Sequence, residues 1–233
     1  GRTRDRLDSL PFPAQKRALE WLHRFDFPAA DLDILEIDDE GGVYYADPAP
    51  GDLPTDPVEG SSTIDPIPEP SATSAVDDAF ALHSRPGAPN VLFLDFDGHV
   101  ITGTAWNAKP EIAATLFARP FNLDSDSSTF SSAERAAIAE IWHRVAEDLA
   151  PFDIDVTTEQ PDSFRPYTGR VLITASTDAY GNAMPSSGAG GVAYLGVWGR
   201  SNYASYYSPA LVYYNNLAKG TTYIAEASAH EFG

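Results

Sequence analysis

The chain has 233 residues, of which 34 are acidic and 15 are basic, giving a formal net charge of −19. This excess of acid argues against nucleic acid or an anionic membrane surface as a partner, because phosphate binding needs clustered Lys and Arg. The absence of cysteine excludes disulfides, Cys-ligated zinc and thiol nucleophiles. No apolar run reaches the roughly 18 residues that a membrane span needs, so we expect no membrane-spanning segment. A cysteine-free, acidic chain suits a secreted bacterial protein, and we expect an extracellular location although no signal peptide is visible.

Composition divides the chain into three parts. Residues 25–84 contain fifteen Asp or Glu and no Lys or Arg, and seven prolines fall between residues 47 and 78. Proline removes backbone donors and like charges repel each other, so this stretch predicts an extended linker. We therefore predict a small unit at residues 1–46, an acidic, proline-rich linker at 47–85 and a larger unit at 86–233.

The small unit shows one helix and one hairpin. Pro13 fits the first turn of a helix that we predict to continue to about Phe25 with an apolar stripe. Residues 34–37 and 43–45 read as two strands around an Asp- and Gly-rich turn. A unit of about fifty residues makes a marginal core, so we expect it to lean on another part of the protein.

The larger unit alternates strands with helices. Residues 91–96 predict a strand that ends in an Asp-Gly turn. Ser131 and Glu134 form a capping box for a helix over residues 131–150. Further strands are predicted at residues 153–157, 171–174, 192–198 and 210–214, with a last helix from about Thr222. This order predicts a mixed α/β or α+β sheet.

The last helical segment is alanine-rich and carries His230 and Glu231. A second His at position 234 would complete H-E-x-x-H, in which two imidazoles one helical turn apart hold one zinc ion. The Glu between them would act as general base toward the zinc-bound water. Position 234 lies beyond the sequence, so the motif is half present, and a structural helical His is the alternative.

Four segments resemble the catalytic domain of metzincin zinc endopeptidases, in particular the secreted bacterial reprolysin- and matrixin-like members. They correspond to the opening strand and hairpin (91–107), the first helix and second strand (131–159), the edge strand above the cleft (189–199) and the active-site helix (224–233). The resemblance implies the family's N-terminal subdomain, a twisted, mostly parallel sheet with an antiparallel edge strand and two helices.

The resemblance also implies a zinc-dependent endopeptidase. His230 would be the first zinc ligand and Glu231 the general base, with further ligands beyond residue 233. The rest of the family pattern, with Gly at 237, His at 240 and a Met-turn, falls outside the sequence, and Met184 precedes the helix.

The expected edge strand is the predicted substrate site. An unpaired strand edge beside a catalytic helix can bind an extended peptide by main-chain hydrogen bonds. We expect Gly191, Val192, Ala193 and Tyr194 to bind the peptide in this way, with Gly190 and Gly191 allowing close approach. A glycine-bearing surface strand is the alternative.

The N-terminal unit then reads as a prosegment, since secreted metzincins of this kind are made as zymogens. We expect it to dock on the catalytic domain and inhibit it. Because the chain has no cysteine, no thiolate can bind the zinc. We therefore expect either that an Asp or Glu binds the metal or that the unit blocks the cleft sterically. The sequence does not choose among the fifteen acids of residues 25–84.

Two other functions remain open. Residues 93–98 resemble the nucleophile motif of haloacid-dehalogenase-type phosphatases, with Asp95 as nucleophile and Asp97 as acid, but His99 stands where that family has Thr. A non-catalytic secreted binding module is the other alternative. Metal content separates the three readings, because the protease needs zinc, the phosphatase needs magnesium and the module needs neither.

A candidate calcium site lies before the capped helix. Asn122, Asp124 and Asp126 place oxygen-bearing side chains at alternate positions, as a calcium loop does. The segment lacks the Gly and the bidentate Glu of an EF-hand, so a solvated turn is the alternative reading.

Overall fold

Helices and strands of a mixed α+β fold make up the described part of the chain. The structure is a computed structural model that describes residues 2–49, 78–124 and 126–232. The helices are α1 (Arg2–Ser9), α2 (Phe12–Leu22), α3 (Ser132–Asp148) and α4 (Thr221–Phe232). The strands are β1 (Leu35–Ile37), β2 (Val43–Pro48), β3 (Asn90–Asp95), β4 (His99–Thr102), β5 (Thr115–Ala118), β6 (Ile154–Thr157), β7 (Thr168–Thr174), β8 (Ala189–Tyr194) and β9 (Ala210–Tyr213). No helix in these ranges has the length and apolar character to cross a membrane.

Seven strands form one mixed sheet in the order β1-β2-β8-β9-β7-β3-β6, and β4 pairs with β5 separately. Strands β9, β7, β3 and β6 are parallel to their neighbours in this series. Strand β8 is antiparallel to β9 on one side and to β2 on the other. β7 is buried along its whole length, as expected for a strand covered on both faces.

Helix α3 forms where its capping box predicts it. The Ser131 hydroxyl accepts the Glu134 amide, and the Glu134 carboxylate accepts the Ser131 amide in return. The other Glu134 oxygen accepts the amide of Leu123 at 2.7 Å, so the carboxylate is satisfied although it is fully buried. Ile138, Ile141 and Val145 face the sheet, where they join the core of one sheet face.

The opposite sheet face is covered by the N-terminal unit and the β4–β5 hairpin. Trp21 and Tyr44 of the N-terminal unit share a core with Trp106, Leu211 and other buried residues of the larger unit. The predicted helix at residues 13–25 forms as the shorter α2, and the predicted hairpin forms as β1 and β2. The small unit therefore completes its core against the sheet, as its size requires.

The turn between β1 and β2 depends on Gly41. Its φ of +83° is unfavourable for other residues, and a Cβ there would overlap the Ala14 carbonyl oxygen of α2. Asp38 closes the turn by accepting the amides of Glu40 at 2.9 Å and Gly42 at 2.7 Å. The β1–β2 hairpin therefore packs closely against helix α2.

Three differences from the sequence-based boundaries affect the site. Strand β2 continues to Pro48, past the predicted end of the small unit at residue 46. Residues 50–77, most of the predicted linker, lie outside the described residues, and from residue 78 the chain packs on the larger unit, where Ala79 is fully buried. Strand β8 ends at Tyr194 instead of continuing to residue 198, because the chain turns at Gly196 with φ +57°.

His83 fastens the start of the larger unit to strand β6. Its Nδ1 lies 2.7 Å from Asp155 Oδ2 and its Nε2 lies 2.9 Å from Glu159 Oε2. Burial opposes the imidazolium charge, but the hydrogen bonds and charges of Glu159 and Asp155 outweigh it and raise the pKa of His83. The pairing is therefore strongest when His83 is protonated.

We predict that His83→Gln lowers the free energy of unfolding at pH 5.5 by up to about 1 kcal/mol, and by less at pH 8.5. With a raised pKa, the charged imidazole stabilises the fold fully below the unfolded-state pKa of roughly 6.5, and this contribution is lost as pH rises through the higher folded-state pKa. Urea unfolding at the two pH values measures the difference.

The matched control is His143→Gln, because His143 is exposed on α3 and lies 3.5 Å from Glu147. It should change the unfolding free energy little at either pH. An equal loss for His83→Gln at both pH values would contradict the pH-dependent pairing.

Candidate functional site

Helix α4 brings His230 and Glu231 directly beneath strand β8. Small residues in its sequence let the helix approach the sheet, and Ile224, Ala225 and Ser228 are buried against it. Glu231 continues this buried face, whereas His230 is on the rim with a side chain 51% exposed. Gly191 of β8 makes the approach possible, because a Cβ there would lie 2.9 Å from Glu231 Cδ and would overlap Oε1.

Strand β2 places two side chains on this same helix. Successive strand residues point to opposite faces of a sheet, so Tyr45 and Asp47 share a face. Their cross-strand partners on β8 are Ala193 and Gly191. Asp47 Oδ2 lies 3.2 Å from His230 Nε2, and the Tyr45 ring stacks on the imidazole with centroids 6.1 Å apart. The N-terminal unit thus contributes a carboxylate to the predicted site.

Two carboxyl groups meet here, that of Glu231 buried and that of Asp47 partly exposed. Neither carboxyl oxygen of Glu231 has a hydrogen-bond partner in the described part of the chain. Burial raises the pKa of Glu231 well above its ordinary value, and the charge of the neighbouring Asp47 raises it further. Burial also raises the pKa of Asp47, although the charge of the nearby His230 opposes the shift. Both shifts favour a protonated carboxyl in this arrangement.

His230 and Asp47 could supply part of a zinc site. Imidazole nitrogen and carboxylate oxygen are both zinc ligands, and His230 and Asp47 present one of each at the same point. A tetrahedral site takes three or four protein ligands. Within residues 2–49, 78–124 and 126–232, no group of three or more His, Asp or Glu side chains is arranged to hold a metal. The described residues thus supply two candidate ligands, and the remaining ones would have to come from elsewhere.

The four predicted peptide-binding residues lie on β8, but its outer edge is occupied. Strand β2 pairs with that edge from Tyr44 to Pro48, so the expectation of an unpaired edge is wrong for this arrangement of the chain. Gly191 and Ala193 are on the α4 side, whereas Val192 and Tyr194 belong to the core of the other face. The Tyr194 hydroxyl donates to Asp38 Oδ2 at 2.8 Å, which ties the β1–β2 turn to β8.

Tyr45 and Asp47 are the site residues that sequence analysis did not single out. The alternation of Tyr45 and Asp47 is a signal that was present in the sequence. Pro48 obscured it, because proline next to acidic residues suggested a linker, although proline is tolerated at the end of a strand.

The surroundings of Asp95 and Asp97 do not support the phosphatase alternative. Asp95 is almost fully buried, with Oδ2 on the Arg170 guanidinium and Oδ1 accepting the Asp97 amide at 3.1 Å. Burial raises the pKa of Asp95 to about 6, although the Arg170 charge opposes the shift. Both oxygens of the proposed nucleophile are thus engaged within the fold, and Asp97 is exposed.

In the candidate calcium segment, the carboxylates serve local turns. Asp124 Oδ1 accepts the Asp126 amide at 2.9 Å, and Asp126 Oδ1 accepts the Ser128 amide at 2.9 Å. Residue 125 lies outside the described residues. Calcium binding by Asn122, Asp124 and Asp126 stays a prediction.

Comparison of the chain with protein-family models, with curated proteins and with solved structures finds no match.

We predict that Gly191→Ala lowers the free energy of unfolding by about 1–3 kcal/mol, the usual range for overpacking. The new methyl group would overlap the Glu231 side chain, which is enclosed between α4 and β8. Urea unfolding measures the loss, and Gly188→Ala is the control because a Cβ at this exposed position meets nothing within 4 Å. The control should stay within about 0.5 kcal/mol of the parent. Equal effects of the two substitutions would show that Glu231 does not pack on Gly191.

Proposed function

We propose that this chain is part of a secreted zinc-dependent endopeptidase of the metzincin type, in its proenzyme form. The observation that carries the proposal is the position of the His230–Glu231 pair. It lies on α4 directly beneath an antiparallel strand, with the Glu231 carboxyl enclosed and without a hydrogen-bond partner among the described residues. A buried carboxyl with a perturbed pKa beside an imidazole that can bind metal is a candidate pair for metal-assisted hydrolysis.

In this proposal His230 binds zinc through Nε2, and the pattern H-E-x-x-H-x-x-G-x-x-H assigns two further ligands to positions 234 and 240. When bound, zinc supplies a water molecule whose pKa is near 7. The ionised Glu231 carboxylate would accept a proton from the water that adds to the scissile carbonyl carbon, and would pass it to the amine nitrogen as the peptide C–N bond breaks. Burial against Gly191 fixes the orientation of that carboxyl.

Substrate is a peptide or protein that pairs with β8 in extended conformation. Main-chain groups of β8 supply the hydrogen bonds of strand addition, which hold a peptide without regard to most of its side chains. In the described arrangement those groups bond to β2 instead, from Tyr44 to Pro48. A substrate can bind there only after β2 has left.

The N-terminal unit is therefore proposed to be an inhibitory prosegment. Strand β2 occupies the substrate edge, and Asp47 lies against both His230 and Glu231. Two further contacts hold the unit in place, since Trp21 Nε1 donates to the Leu195 carbonyl at 2.9 Å and Tyr206 donates to Glu40 at 2.6 Å. Both inhibitory routes that the sequence left open, steric filling and a carboxylate at the metal, are compatible with this geometry.

In the full-length protein freed of its prosegment, Glu231→Gln should reduce peptide hydrolysis at least about 100-fold, the usual size of a general-base contribution. Zinc should remain bound in a one-to-one ratio, because Glu231 is not a ligand in the proposal. Hydrolysis of a fluorogenic peptide and metal analysis of the same samples measure the two effects.

Glu226→Gln is the matched control, since Glu226 is exposed on the same helix. It should retain both activity and zinc. Undiminished hydrolysis by Glu231→Gln, or a purified full-length protein that holds magnesium or no metal, would contradict the proposed function.

In the uncleaved full-length protein, Asp47→Ala should raise basal hydrolysis by about tenfold or more, equivalent to the loss of about 1.4 kcal/mol of inhibitory contact. The carboxylate at His230 and Glu231 is removed, while β2 still pairs with β8. Asp26→Asn is the control, because Asp26 is an exposed acid of the same unit. Unchanged activity of Asp47→Ala beside an active cleaved enzyme would assign inhibition to steric filling alone.

A further inference from the structure

A cavity of about 410 Å³ opens at the C-terminal end of β8, next to His230. Its walls are mainly aromatic and include Tyr45, Ala193, Trp198, Tyr203, Tyr207 and Phe232. Trp198 makes edge contacts with Phe232 at 4.7 Å and with Tyr203 at 5.5 Å, which gives the wall a fixed shape. No Lys or Arg is among the described residues that line it. His230 and Glu231 line the side of the cavity toward α4, and its mainly aromatic remainder suits an apolar or aromatic group.

Strand β2 shows which part of a paired peptide would reach this cavity. Tyr45 is opposite Ala193, and its ring lies at the cavity wall on the α4 side. Asp47, two residues further along, is opposite Gly191 beside Glu231. When β2 leaves, the space of the Tyr45 ring is added to the cavity. Because the Ala193 side chain on β8 is small, it does not fill this space.

The N-terminal unit covers the surroundings of the cavity with aromatic residues of its own. Trp21 donates to the Leu195 carbonyl, and Phe25 packs so closely on Gly196 that a Cβ there would overlap its ring. Trp21 also packs edge-on against Tyr207, with centroids 5.7 Å apart. Trp21 and Phe25 thus cover the surface beside the cavity, and Tyr45 is the residue of the N-terminal unit that lines the cavity itself.

On the premise of the proposed function, we propose that β8 and this cavity together select peptides with a large aromatic side chain in the position of Tyr45. Such a peptide pairs antiparallel with β8. Its aromatic residue lies two positions before the residue that faces Glu231. An aromatic side chain contributes a large contact area at low cost in conformational entropy, so this position should dominate the choice of peptide.

The test uses the full-length protein with one introduced protease site within residues 50–77, cleaved so that the N-terminal unit is held only by noncovalent contacts. A synthetic peptide of residues 34–49 competes with that unit, and variants carry Phe, Trp, Ala or Lys in place of the Tyr at position 45. Release of the N-terminal unit from an affinity resin is measured in the presence of a chelator, so the readout does not depend on hydrolysis. Fluorogenic peptides with the same five residues at this position, and with Asn in place of the Asp at position 47, are then offered without chelator to the protein freed of its N-terminal unit.

The Tyr, Phe and Trp peptides should release the N-terminal unit at similar concentrations, and the Ala and Lys peptides should need at least tenfold more. Equal potency of all five peptides, or no release by the Tyr peptide, would overturn the inference. Release in the expected order, with no hydrolysis of any of the fluorogenic peptides, would uphold aromatic recognition and overturn the proposed endopeptidase function. Hydrolysis with no preference at this position would overturn the aromatic selection alone.

Discussion

The antiparallel pairing of β2 with β8 is the constraint on which the rest of the structure depends. It adds the N-terminal hairpin to the sheet and thereby sets the direction in which every side chain of β2 points. A shift of one residue would turn Tyr45 and Asp47 away from α4 and bring Tyr44 and Ala46 toward it. The contacts of Asp47 with His230 and Glu231 are therefore a consequence of register, which the Asp38–Tyr194 hydrogen bond helps to fix.

This pairing also explains how a small N-terminal unit can be ordered. Fewer than fifty described residues cannot bury enough apolar surface alone. Trp21 and Tyr44 are buried only because Trp106, Tyr194 and Leu211 lie opposite them in one shared core. The same interface encloses the contact of Asp47 with α4, so the stability of the N-terminal unit and the inhibition proposed for it depend on the same residues. After cleavage of the chain beyond the hairpin, the N-terminal unit would be held by noncovalent contacts alone. The fraction that stays bound would then depend on the protein concentration and on competing peptides.

Local signals in the sequence predicted much of the fold. The capping box of α3 and the hairpin turn at Gly41 act within a few residues, so they can be read directly. Helix α1 was missed because its polar sequence has no apolar stripe and none of its residues is buried. The role of Asp47 could not be predicted, because it depends on pairing with Gly191, a residue 144 positions away. Among fifteen acids, only tertiary structure distinguishes the one that contacts α4.

The proposed function depends most on His230 binding the metal while β2 holds Asp47 against it. A crystal structure of the full-length, zinc-loaded protein before linker cleavage tests this most directly. We expect zinc bound by His230 Nε2, the Asp47 carboxylate beside it and β2 still paired with β8. Zinc bound without His230, or β2 absent from the edge of β8 in the uncleaved protein, would contradict it.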